Sequence, residues 1–184
     1  MTADARMTGC DAMTTVMICD DDPIVREALA GYLAREPDLE VTAQVGTADE
    51  ALRMLDQEPT DVVLMDHTLP GMNGIDATRL VRARHRGTSV LLMTTFGTDE
   101  QVREAISAGA SGFLLKSASP SALAAAVRAA HDHAGTVLTP QLAAQITAHA
   151  GHTVAPTVIG GGPAEEQVEE LGLTERESEG LTLL

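Results

Sequence analysis

Five short apolar runs alternate with five stretches of helical periodicity, and this alternation constrains the fold more than any other feature of the chain. The runs occupy residues 14–19, 39–45, 61–66, 89–93 and 111–115. Each is too short for a helix of ordinary length. A segment such as Val62-Val63-Leu64-Met65 suits a strand covered on both faces. The helical stretches carry their own start and stop signals. Pro23 after three acids opens the first, with Ile24, Leu29 and Leu33 on one face, and Glu36-Pro37-Asp38 breaks it. Thr47 with Glu50 three residues on forms a capping box for the second, which ends before Pro59. Asn73-Gly74 leads into the third. Its basic end, Arg82, Arg84, His85 and Arg86, suits the negative pole of a helix. Thr98 caps the fourth, Gly109 stops it, and Ser119-Pro120 opens an alanine-rich fifth that runs to about His133. Strict alternation implies a parallel sheet with helices on both faces, joined by right-handed crossovers. The expected fold is α/β: a five-stranded, flavodoxin-like (βα)5 unit over residues 14–134. Strand order 2-1-3-4-5 is the natural small solution.

Composition narrows the setting. Apolar residues make up 44% and aromatics 2%, so the core must be aliphatic and alanine-rich. A formal net charge of −15 argues against the chain wrapping nucleic acid or an anionic membrane. Cys10 falls in a small, polar N-terminal stretch and Cys19 in an apolar strand, a pattern without a disulfide framework. The first thirteen residues lack a signal-peptide core, and no apolar run reaches membrane-spanning length. Together these features imply a cytoplasmic chain that does not engage membranes. Residues 135–170 read as one more helix, over 140–150, and a flexible acidic linker containing Gly160-Gly161-Gly162-Pro163 and the acids of 165–170. Residues 171–184 begin another helix at Leu173-Thr174-Glu175-Arg176-Glu177, with Thr174 as N-cap. So short a segment cannot bury its own apolar side.

In open α/β sheets chemistry gathers at the carboxyl ends of the strands. Here those ends carry Asp20 and Asp21, Asp66, Thr94 and the only lysine, Lys116. Any one of them alone reads better as a cap, a polar strand end or a surface charge. Together at one rim they read as a site. Crowded carboxylates repel unless a cation joins them, and an oxygen-rich set suits Mg²⁺. A carboxylate can also attack phosphorus to give an acyl phosphate, with metal and ammonium offsetting phosphoryl charge. No glycine-rich nucleotide loop, zinc ligand set or Ser/His/Asp arrangement is present. His131/His133 and His149/His152 lack metal-ligand context and read as solvent-facing.

The motifs Val16-Met17-Ile18-Cys19-Asp20-Asp21-Asp22-Pro23, Asp61 through Gly74, Leu92-Met93-Thr94-Thr95-Phe96 and Ala108 through Lys116 resemble those of two-component response regulators of the NarL/FixJ (LuxR-type) class. The resemblance spans residues 14–133. It implies that Asp66 is the phosphoacceptor, a signalling rather than an enzymatic role. It implies Mg²⁺ held by Asp21, Asp66 and the main-chain carbonyl of Thr68, with Asp20 assisting through water. Thr94 and Lys116 would contact the phosphoryl group, and Phe113 would be the aromatic coupled to Thr94. The implied donor is a sensor histidine kinase or a small acyl phosphate. The implied output face is helix four, strand five and helix five, which would form a homodimer. Leu173 through Glu177 resembles the start of the family's helix-turn-helix domain, truncated before its recognition helix. Gly180 stands at a usual apolar core position of that domain. DNA binding therefore belongs to a longer parent, a transcription regulator. Ser117 departs from the Asp or Pro that commonly follows the lysine, and His67-Thr68-Leu69 is a less common loop.

Two other readings compete. Asp20-x-Asp22 matches the nucleophile spacing of haloacid-dehalogenase-type, Mg²⁺-dependent phosphohydrolases, although no late acidic pair follows strand four or five. A pseudo-receiver acting only by binding partners would not need the intact set Asp20, Asp21, Asp66, Thr94 and Lys116.

Overall fold

A computed structural model describes residues 13–138 and 157–158. Its elements run β1 (Thr14–Cys19), α1 (Pro23–Leu33), β2 (Leu39–Val45), α2 (Ala48–Gln57), β3 (Val62–Asp66), α3 (Gly74–Arg84), β4 (Ser89–Thr94), α4 (Asp99–Ser107), β5 (Gly112–Leu115) and α5 (Pro120–His131). Two short strands follow, β6 (Val137–Leu138) and β7 (Thr157–Val158). Every adjacent pair in the sheet is parallel, and the order is β2-β1-β3-β4-β5-β6-β7. The expected order of the first five strands stands, and the sheet is longer by two. Thr157 and Val158 pair as a strand within the stretch read as flexible linker. The expected helix over 140–150, the glycine-rich and acidic segments, Cys10, His149/His152 and the helix start at Leu173 lie outside the described residues.

Strands β3 and β4 are buried along their whole length. Alternate residues of β1 and β3 therefore feed two apolar layers. Met17, Val63, Met65, Leu92 and Phe113 pack with α2, α3 and α4. Val16, Ile18, Leu64, Leu91 and Leu114 pack with α1 and α5. With Phe113 as the one aromatic in the core, branched aliphatics and alanines fill both layers, as the composition requires. Among the described residues no helix is long and apolar enough to cross a membrane.

Gly112 shows why β6 can dock. A Cβ at this position would lie 2.5 Å from the Val137 carbonyl oxygen and 2.7 Å from Leu91. Only glycine lets β6 approach the edge of β5, where Phe113 pairs with Leu138.

Three helix starts show how local chemistry sets the boundaries. Pro23 follows the N-cap Asp22, whose carboxylate accepts from Ile24 N–H. Thr98 and Gln101 form a reciprocal capping box on α4. At α2 the expected box is only half made. Thr47 accepts from Glu50 N–H, but the Glu50 carboxylate accepts from Gly46 N–H, one residue further back.

Candidate metal and phosphoacceptor site

The polar strand ends converge. Asp20, just past β1, and Asp66, at the end of β3, are 1% and 5% exposed, whereas Asp21 faces solvent. Carboxylate oxygens of all three lie within 4.8 Å of one another. Lys116, just past β5, places its Nζ 2.6 Å from Asp20 Oδ2 and 3.0 Å from Asp66 Oδ2. Its backbone N–H donates to the Thr94 carbonyl at 2.7 Å, which ties the lysine to the end of β4. Asp66, Thr68, Thr94 and Lys116 line one crevice of about 290 Å³.

The loop after Asp66 is held tightly. His67 N–H donates to the Met93 carbonyl at 2.8 Å, and Gly74 N–H donates to the His67 carbonyl at 3.0 Å. A Cβ on Gly74 would lie 2.1 Å from the Asp66 carbonyl oxygen. The glycine of Asn73-Gly74 is thus required by close approach to the backbone of Asp66. The Asn73 side chain then caps α3 through Asp76 N–H.

Burial dominates the electrostatics of Asp66 and raises its pKa above the ordinary carboxylate value. Hydrogen bonding and charge from Lys116 oppose that shift, and the negative charge of Asp20 adds to it. Burial alone would lower Lys116, but its hydrogen bonds to Asp20 and Asp66 outweigh burial and hold its pKa above the usual value. Three carboxylates against one ammonium leave excess negative charge at the end of the sheet. A hard divalent cation with oxygen preference fits that donor set. Cys19, next in the chain, does not compete as a nucleophile. Burial first, then the charges of Asp20 and Asp66, push its thiol up to about 12.

Thr94 and Phe113 take particular positions. The Thr94 hydroxyl donates to the Phe96 carbonyl at 2.8 Å, within its own loop. Phe113 is fully buried, and its ring meets the His67 ring edge-on at 6.4 Å. Asp22, which the phosphohydrolase reading needs as a second acid, is spent as the α1 cap.

Two neighbours of the site were not foreseen. His67 follows Asp66 directly, but nothing local predicts its contact with Phe113, 46 positions away. Arg26 lies on α1, six residues after Asp20, and donates to the Asp20 carbonyl at 2.5 Å. Its position off the apolar face and one turn from the acidic loop was the only available signal.

With this geometry in place, comparison with known proteins identifies the family. The response regulator receiver domain family matches residues 16–128. The transcriptional regulatory protein LnrK of Bacillus subtilis (strain 168) is 37% identical over 172 residues, which are 94% of this chain and 77% of that protein. The transcriptional regulatory protein LiaR of the same organism is 36% identical over 118 residues, 64% of this chain and 56% of that protein. A crystal structure of a LuxR-family two-component response regulator from Aurantimonas sp. SI85-9A1 superposes with a TM-score of 0.71 at 34% identity, covering 75% of this chain and 98% of that one. The chain belongs to the receiver domains of NarL/FixJ-type two-component response regulators. It therefore carries a phosphorylatable aspartate and an acidic cluster suited to Mg²⁺. Membership in this family implies a cognate histidine kinase.

Proposed function

We propose that Asp66 is the phosphoacceptor. The observation that carries this reading is the Lys116 ammonium bridging Asp66 and Asp20 in a crevice that Thr94 also lines. A carboxylate oxygen of Asp66 attacks phosphorus of the donor. A P–O bond forms, the bond from phosphorus to the donor's imidazole nitrogen or acyl oxygen breaks, and the donor leaves with that electron pair. Asp21, Asp66 and the Thr68 main-chain carbonyl would hold Mg²⁺, with Asp20 assisting through water, and the ion would offset charge on the transferred group. Lys116 stays beside Asp66 and takes up phosphoryl charge as its partner. Thr94 is the hydroxyl within reach of the new phosphoryl oxygens once it leaves the Phe96 carbonyl. Phe113, packed against His67, is the core aromatic that responds.

The domain division follows: a receiver over residues 14–134, a connecting segment over 135–170, and the beginning of a helix-turn-helix domain over 171–184. Phosphorylation switches a transcription regulator by shifting a pre-existing equilibrium. The homodimer face is α4, β5 and α5, where Phe96 is 82% exposed beside α4 and Ile106 is 43% exposed on it. The donor is a sensor histidine kinase.

Incubation with a small acyl phosphate and Mg²⁺ tests the assignment. The intact protein gains one phosphoryl group, and Asp66→Asn gains none. Undiminished labelling of Asp66→Asn would assign the acceptor elsewhere.

A further inference from the structure

We propose that Arg26 is a positioning residue for the metal. It clamps the peptide that joins Asp20 to Asp21 and so preforms their two carboxylates as a ligand pair. The inference rests on the Mg²⁺ reading of the same site.

Asp20 and Asp21 are consecutive, so the orientation of both side chains depends on the one peptide plane between them. The carbonyl of that plane is Asp20's, and Arg26 Nη1 donates to it at 2.5 Å. The other side of the loop is fixed independently. Asp20 N–H donates to the Val45 carbonyl at 3.1 Å, and Asp22 N–H donates to Asp20 Oδ1 at 3.0 Å. Without Arg26, the Asp20 carbonyl would be the loose member of this set.

Helix geometry explains how Arg26 reaches it. Side chains on a helix tilt toward its N-terminus. An arginine one turn into α1 therefore lies back over the acidic loop. Arg26 is half-buried there, with the bare backbone of Gly46 beside its guanidinium. This placement runs against the helix dipole, which disfavours a cation near the positive end. The acceptor it finds, and the nearby carboxylates, compensate.

Charge and position predict opposite signs, which makes the idea testable. As a mere cation Arg26 repels a divalent ion, so its removal would tighten metal binding. As a clamp it pre-organises the ligands, so its removal loosens binding. Loss of an outer partner of a metal ligand typically weakens affinity by about 10-fold or more.

The experiment is calorimetric titration of the full chain with Mg²⁺ alone. Arg26→Met should bind about 10-fold more weakly than the wild type, while Arg26→Lys, which keeps a donor and the charge, recovers most of the loss. Metal-free melting temperatures report whether each variant is folded. Gly46→Val supplies a second route that leaves Arg26 in place. A Cβ there would lie 3.6 Å from Arg26 Nη1, so branched methyls displace the guanidinium while its charge remains. It too should weaken Mg²⁺ binding. At saturating Mg²⁺, all three variants should reach the wild-type extent of acyl-phosphate labelling. Equal or tighter Mg²⁺ binding by folded Arg26→Met overturns the proposal alone. A wild-type chain that does not bind Mg²⁺ overturns the metal reading beneath it.

Discussion

The two rims of the sheet are built from the same residue types and behave in opposite ways. At the amino ends of the strands, polar groups find hydrogen-bond partners within the protein. Asp61 accepts from both the backbone N–H and the hydroxyl of Thr15, at 2.9 and 2.7 Å, and Thr15 in turn accepts from Asp61 N–H. The Thr88 hydroxyl donates to the Thr60 carbonyl, and the Ser89 hydroxyl donates to the Ala130 carbonyl, both buried. At the carboxyl ends, Asp20 and Asp66 share a single ammonium, and Asp21 lies within reach of the same point. One rim spends its polar groups on holding β1, β3 and β4 in register. The other leaves negative charge unmatched, and unmatched charge is what a cation and a phosphoryl donor can use. A buried aspartate is thus no sign of function by itself. Function shows where the partners run short.

The comparison is broken most sharply by exchanging the outcomes of two substitutions. Asp66→Asn should abolish acyl-phosphate labelling completely, without loss of thermal stability, because burial already disfavours its ionised form. Asp61→Ala should leave labelling intact but destabilise the fold by about 2–3 kcal/mol in denaturant titration, since it strands the Thr15 donors. If Asp61→Ala abolished labelling in a folded protein, the division between the rims would fail.

The pH dependence of stability sharpens the contrast at an intermediate scale. Asp66 has a folded pKa above its unfolded value of about 3.8. Its contribution is therefore most favourable below that value and declines as pH rises through the folded pKa. Lys116 is raised above 10.5, so its contribution is fully present below that value and is lost as pH climbs through its folded pKa. Denaturant midpoints across the acid range should show a decline specific to Asp66 that Asp66→Asn removes. An unchanged profile in that variant would contradict the burial of Asp66.

The smallest effect belongs away from both rims. Arg128 on α5 reaches Asp38 Oδ1 and Glu36 Oε2, each at 2.6 Å, and ties α5 to the turn before β2. With a side chain 39% exposed, this network is screened by solvent. Arg128→Gln should lower the melting temperature slightly, and molar salt should erase most of the difference from the wild type.

Much of this architecture was legible in the chain because its signals are local. Apolar runs bounded by prolines, glycines and N-caps placed β1 and β2 where the structure has them, Thr98 caps the helix it was expected to cap, and Asn73 and Ser119 stand as N-caps at the helix starts expected there. The convergence was legible because a parallel α/β sheet gathers strand ends, so the polar residues at four strand ends had one place to meet. What stayed hidden depends on distant partners. Asp61 reads as the first residue of β3, but its side chain latches Thr15, 46 residues earlier, and the strand begins at Val62. Gly112 reads as an ordinary strand glycine until Val137 is seen against it. Glu50 reads as the partner of Thr47 until its carboxylate is found on Gly46.

Borohydride reduction of the phosphorylated protein, followed by peptide mapping, tests the central claim most directly. Hydride cleaves an aspartyl phosphate to homoserine and so marks the acceptor permanently. The account predicts homoserine in place of Asp66 alone, formed only when Mg²⁺ accompanies the acyl phosphate. Reduction at Asp20 or Asp21, or at Asp66 without any divalent ion, would contradict it.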